Sequence, residues 1–162
     1  MRCRTIVNED YTNYKAPAMF IGCVSCDGKC CTEGGFSPSV CINHEWVRTS
    51  VDDVDDENII SEYLSNPITH AIVFGLLEPM LQYEEIKRFI HRLRDKHGCL
   101  DDIVIYTGYN KCEIVEKVEE LSSTFKNIII KFGRFVPNQE KHFDEVLGVY
   151  LASDNQYAER VS

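Results

Sequence analysis

Five of the chain's eight cysteines, Cys23, Cys26, Cys30, Cys31 and Cys41, fall inside one short stretch. Thiolates bind soft and borderline metals, and so dense a group suits a zinc ion or an iron–sulfur cluster better than a disulfide framework, which ties distant parts of a chain together. Spacing separates the two metals in part. Structural zinc sites use paired Cys-x2-Cys knuckles. Here one candidate knuckle, Cys23-Val24-Ser25-Cys26, is followed by Cys26-x3-Cys30, an adjacent Cys31, and Cys41-Ile42-Asn43-His44. A zinc set of Cys23, Cys26, Cys41 and His44 can be drawn from it. Three thiolates on a four-iron cluster would instead leave one iron open to a substrate. Cys3, Cys99 and Cys112 stand alone and read as ordinary buried or surface thiols.

Hydrophobic periodicity supplies the scaffold that must hold such a loop. Residues 18–22 read as a strand leading directly into the cysteines, and residues 57–64 carry a helical pattern stopped by Ser65-Asn66-Pro67. Residues 69–74 form a continuous apolar run, the mark of a strand buried on both faces. Residues 81–97 have helical spacing at Ile86, Phe89, Ile90 and Leu93, with Gly98 placed to end the helix. The cycle repeats with a strand over 102–106, a helix over 112–125 and a strand over 127–132, and residues 145–151 offer a fifth strand. Strands separated by helices imply right-handed βαβ units. The expected fold is α/β, an open partial (βα) barrel with a mainly parallel sheet of about five strands, in a single domain over 1–162.

Ligands in such folds bind at the carboxyl ends of the strands. The cysteine group, Gly75-Leu76-Leu77-Glu78-Pro79, Thr107-Gly108-Tyr109-Asn110, Gly133-Arg134-Phe135 and Ser153-Asp154-Asn155-Gln156 each follow one predicted strand. All five motifs therefore land on one edge.

Composition narrows the partners. The formal net charge is -9 and the 17 basic residues are scattered, which argues against a nucleic-acid surface. No apolar run reaches the roughly 20 residues that span a bilayer, and no secretory segment opens the sequence, so a cytoplasmic protein without a membrane partner is expected. The acidic run over 52–57 reads as a solvated loop with favourable charge at a helix N-terminus.

The order of these motifs, from Asn13-Tyr14-Lys15 to Asn155-Gln156, resembles that of radical S-adenosylmethionine proteins, and specifically the small activating proteins of anaerobic (class III) ribonucleotide reductase. That family's first loop carries Cys-x3-Cys-x2-Cys with an asparagine close behind. Cys26-x3-Cys30 matches its start, Glu33 stands at the third cysteine's place, and Cys41-Ile42-Asn43 reproduces the ending after a longer loop. The resemblance thus implies Cys26, Cys30 and Cys41 as ligands of a [4Fe–4S] cluster, with Cys23 as runner-up; four protein thiolates would leave no site for a cosubstrate. Gly75 and Glu78-Pro79 resemble the family's Gly-Gly-acid motif, with Leu76-Leu77 where a second glycine is usual. Ile105-Tyr106-Thr107-Gly108-Tyr109 resembles its third-strand ending, Gly133-Arg134-Phe135 its Gly-Pro-Phe-like turn, and Ser153-Asp154-Asn155-Gln156 its C-terminal Gly-Ser-Ser-Asn-Gln stretch.

The resemblance implies S-adenosylmethionine as cosubstrate, chelated by the open iron and cleaved reductively to methionine and a 5′-deoxyadenosyl radical. Glu78 would accept its ammonium, and Gly75, Thr107, Gly108, Asn43 and Asn155 would hold its polar edges. The implied partners are a large glycyl-radical subunit of an anaerobic ribonucleotide reductase and a reductant such as flavodoxin or ferredoxin. A radical enzyme with another substrate or a degenerate relative remains open, as does a non-enzymatic zinc or iron–sulfur binding module.

Overall fold

Four short apolar segments form the middle of the molecule. In the computed structural model, which describes residues 1–162, β2 (Ala18–Gly22), β3 (Ala71–Gly75), β4 (Asp102–Tyr106) and β5 (Ile128–Phe132) run parallel and side by side. Every residue of β3 and β5 is buried, as expected of strands covered on both faces. Two antiparallel strands close the edges. β1 (Thr5–Asp10) pairs with β2, and β6 (Tyr157–Arg160) pairs with β5, giving the spatial order β6-β5-β4-β3-β2-β1. The sheet is therefore mixed and has six strands where about five were expected: the four central strands are parallel, and the two edge strands are antiparallel to them. The expected fifth strand over 145–151 lies outside it: Val149–Leu151 pairs with His142–Asp144 as a separate hairpin. Edge strands need bury only one face, so their sequences, TIVNED and YAER, lack the apolar runs that reveal the central four.

Four α-helices follow the predicted order, with one addition. α1 (Lys29–Gly34) is a short helix inside the cysteine segment; α2 (Asp56–Ser65), α3 (Tyr83–His91) and α4 (Val115–Thr124) are the expected crossovers. Asp55 caps α2 by accepting from the Glu57 amide at 2.8 Å. The acidic run is not wholly solvated, because Asp56 is buried and paired with Arg88 and Arg92. Gly98, at φ 64, ends the second crossover, as its position predicts.

The side-chain alternation of the strands sorts the interior into two faces. Met19, Ile21, Ile72, Phe74, Ile103, Ile105, Ile128, Ile130 and Phe132 point toward α2, α3 and α4 in a core cluster of 25 buried residues. Phe74 meets Phe89 of α3 edge-on, with ring centroids 5.7 Å apart. The opposite cluster has nine buried residues, covered by Tyr14 and by Leu147 and Leu151 near the hairpin. All three long helices thus pack on one face, and the other is left partly open. No helix is long and apolar enough to cross a membrane.

Candidate functional site

The cysteine segment is tied to the sheet at its start and then leaves it. The Cys23 amide donates to the Gly75 carbonyl at 2.9 Å, and the Cys23 side chain is buried in the helix-side core. Burial pushes its thiol far up. Beyond it, Gly28 at φ 70 opens α1 and Gly35 at φ 66 closes it; both positions favour glycine because a Cβ strains the left-handed region. Cys30 and Cys31 lie on α1, and Cys41 follows a 3₁₀ turn over Pro38–Val40.

Cys26, Cys30, Cys31 and Cys41 line one cavity of about 860 Å³ on the face opposite the long helices. Burial raises the thiols of Cys26, Cys30 and Cys31. At Cys30 this is opposed by a hydrogen bond from the Phe135 amide and by the charges of Lys131 and Arg134. A metal takes thiolates, so those groups favour the form that binds.

The same cavity holds the carboxylate predicted from sequence. Glu78 is buried; its Oε1 accepts from the Met80 amide at 2.9 Å and the Thr107 hydroxyl at 2.6 Å, while Oε2 accepts from the Gly108 amide at 2.8 Å. Burial raises its pKa, and these three donors hold it back. A Cβ added at Gly108 would stand 3.3 Å from the Cys30 sulfur and 3.4 Å from Glu78 Oε2. A side chain at Gly108 would thus touch both Cys30 and Glu78.

Asn43, Gly75, Thr107 and Gly108 also line the cavity. Asn155 does not. It is exposed, and its amide donates to the Arg134 carbonyl at 3.0 Å, bracing the turn beside Gly133. The neighbouring Gln156 is the residue of that stretch that faces the cavity.

Leu76, in the position of the usual second glycine, has φ 74. A leucine held there costs on the order of 1 kcal/mol, so the backbone keeps a shape suited to glycine although the side chain has changed. A Cβ at Gly22 would come within 2.8 Å of Leu76 Cδ2, so the side chain lies across Gly22 as part of the cavity wall.

Lys131 escaped the sequence reading. It is buried on β5, lines the cavity, and donates to the Gly133 carbonyl at 2.9 Å. Burial lowers its pKa to about 8, against the opposing charges of Cys30 and Glu78. A charged residue inside an otherwise apolar strand was the signal.

A model of the 4Fe-4S single cluster domain family matches residues 21–156. The chain belongs to that family. Searches of curated proteins and of solved structures give no match. Family membership turns the choice between metals toward an iron–sulfur cluster, and the donors fit it: four thiols border one cavity, with a glycine keeping the space beside Cys30 clear. The zinc set of Cys23, Cys26, Cys41 and His44 is not assembled. Cys23 belongs to the core, and no three His, Cys, Asp or Glu side chains converge as a single-ion site.

Proposed function

We propose that this iron–sulfur protein binds S-adenosylmethionine beside its cluster and cleaves it reductively. The observation that carries the reading is a pair of opposite charges, Glu78 and Lys131, buried in the cavity that the thiols border. An amino acid's zwitterionic end needs a carboxylate for its ammonium and a cation for its carboxylate, and burial strengthens both contacts. Glu78 is held in place by three donors, and Lys131 makes one hydrogen bond, which leaves it donors to spare. The glycine-like backbone at Leu76 supports the motif resemblance, and helices on one face with a cavity on the other suit the partial barrel that resemblance implies.

Cys26, Cys30 and Cys41 would hold the cluster in this reading, and three protein thiolates would keep it open to a cosubstrate. When bound and reduced, the cluster would supply the electron for reductive cleavage of the sulfonium bond, the source of methionine and a 5′-deoxyadenosyl radical. The chain's residues orient the cosubstrate and exclude water from the radical. Exposed apolar side chains at the rim, Ile42 at 86% and Tyr150 at 69% exposure, suit a large docked substrate such as the glycyl-radical subunit of an anaerobic ribonucleotide reductase. A flavodoxin or ferredoxin in the reducing cytoplasm would deliver the electron.

Anaerobic reconstitution with iron and sulfide, then dithionite and S-adenosylmethionine, tests this. Brown absorbance, about four irons per chain and 5′-deoxyadenosine are expected; a loaded cluster without that product refutes cleavage. Cys26→Ala, Cys30→Ala and Cys41→Ala abolish the product, and Cys23→Ala leaves it. One observation favours a second reading: Cys31 also lines the cavity, and four thiolates would make an electron-transfer cluster. Loss of the loaded cluster in Cys31→Ala would support that alternative.

A further inference from the structure

Residues 25–55 contain no buried residue. The segment that carries Cys26, Cys30 and Cys41 therefore has no core of its own, and its position must come from specific ties to the sheet. The strongest converge on Arg134, in the turn after β5. Its Nε lies 2.6 Å from Glu33 Oε2, and its Nη2 donates to Glu33 Oε1 at 2.9 Å. The same guanidinium pairs with both carboxylate oxygens of Glu113, one at 2.7 Å, and donates to the Gly108 carbonyl at 3.3 Å. Only 10% of its side chain is exposed, so these contacts are shielded more than surface pairs are. Lys29 adds a second tie to Glu113 at 3.3 Å.

Glu33 lies three residues beyond Cys30, on the next turn of α1. Holding Glu33 therefore fixes the rotation and depth of the helix that presents Cys30. Arginine suits the task because its planar fork can grip two carboxylates at once. We propose that Arg134 is the positioning residue of the cluster loop, clamping Glu33 and Glu113 so that Cys30 is placed against the ends of β4 and β5 before any iron arrives. The proposal rests on cluster binding, which the family match supports, and not on S-adenosylmethionine cleavage.

Hydrogen–deuterium exchange on the metal-free chain reads the clamp directly. Arg134→Gln and Glu33→Gln are expected to speed exchange over residues 27–36 about tenfold, the effect of losing one charge-assisted contact, with β4 and β5 unchanged. Glu33 is half exposed, so its variant still folds if Arg134→Gln does not. In the reconstituted protein, both variants lose iron to a chelator about tenfold faster, and the reduced cluster's electron paramagnetic resonance spectrum broadens as Cys30 samples several orientations. Unchanged exchange over 27–36, or an equal rise throughout the sheet, overturns the proposal. So does faster exchange with iron retention and spectrum unaltered. Failure to form 5′-deoxyadenosine would bear only on the proposed activity.

Discussion

The side chains that decide the chemistry differ in what their neighbours do to them. Lys131 sits in the cavity with Cys30 and Glu78 nearby, and replacing it with methionine keeps the volume while removing the cation. On the proposed function, Lys131→Met is expected to weaken S-adenosylmethionine binding to the loaded protein by about 10- to 100-fold, measured by titration calorimetry on protein of matched iron content. Leu76 tests the backbone instead. Glycine there relieves the left-handed strain and offsets the lost side-chain contact, so Leu76→Gly is expected to shift the metal-free chain's stability by less than about 1 kcal/mol. A β-branched residue fits that region worse, and Leu76→Val lowers stability by about 1–2 kcal/mol in urea denaturation. Parity along the strands explains what could be read here. Met19, Ile21 and Cys23 alternate onto the helix side, a parity left unused where cysteine spacing kept Cys23 as runner-up ligand. Lys131 falls on the opposite face from Ile130 and Phe132, toward the cavity. Asn155 and Gln156 could not be separated this way, because the turn after the hairpin has no fixed alternation.

Among the elements, the continuous apolar runs made β2 to β5 legible, and the 3.6-residue spacing did the same for α2, α3 and α4. What the periodicity missed was short or one-sided: β1, β6 and α1. The hairpin around residues 145–151 was misplaced because an apolar segment can pair locally as well as join the main sheet. Packing between α3 and β3 carries much of the frame beneath the site. Phe89 is fully buried against Phe74, so Phe89→Ala is expected to cost about 3–5 kcal/mol, measured by denaturation of the metal-free chain.

At the scale of the molecule, the site is joined to the sheet chiefly by charge, and acid should release it. Asp56, Glu57, Glu85, Asp102, Glu113 and Glu120 all lie below their ordinary values, and hydrogen bonding to Arg134 takes Glu113 to about 2 from 4.5. A carboxylate lowered by folding stabilises the fold above its unfolded value and loses that contribution as pH falls toward its folded value. The metal-free chain is therefore expected to lose stability progressively as pH drops below about 4.5; a flat profile down to pH 3 would contradict the pairing. Glu78 runs the other way, since burial raises it.

The absence of any buried residue across 25–55 has a consequence for the protein's lifetime. With so little hydrophobic anchorage, the excursion from Gly35 to Cys41 would be fastened at its far end by the cluster if Cys41 ligates it as proposed, and loss of the cluster would undo that fastening. Limited proteolysis is therefore expected to cut this segment faster in the metal-free chain than in the loaded one.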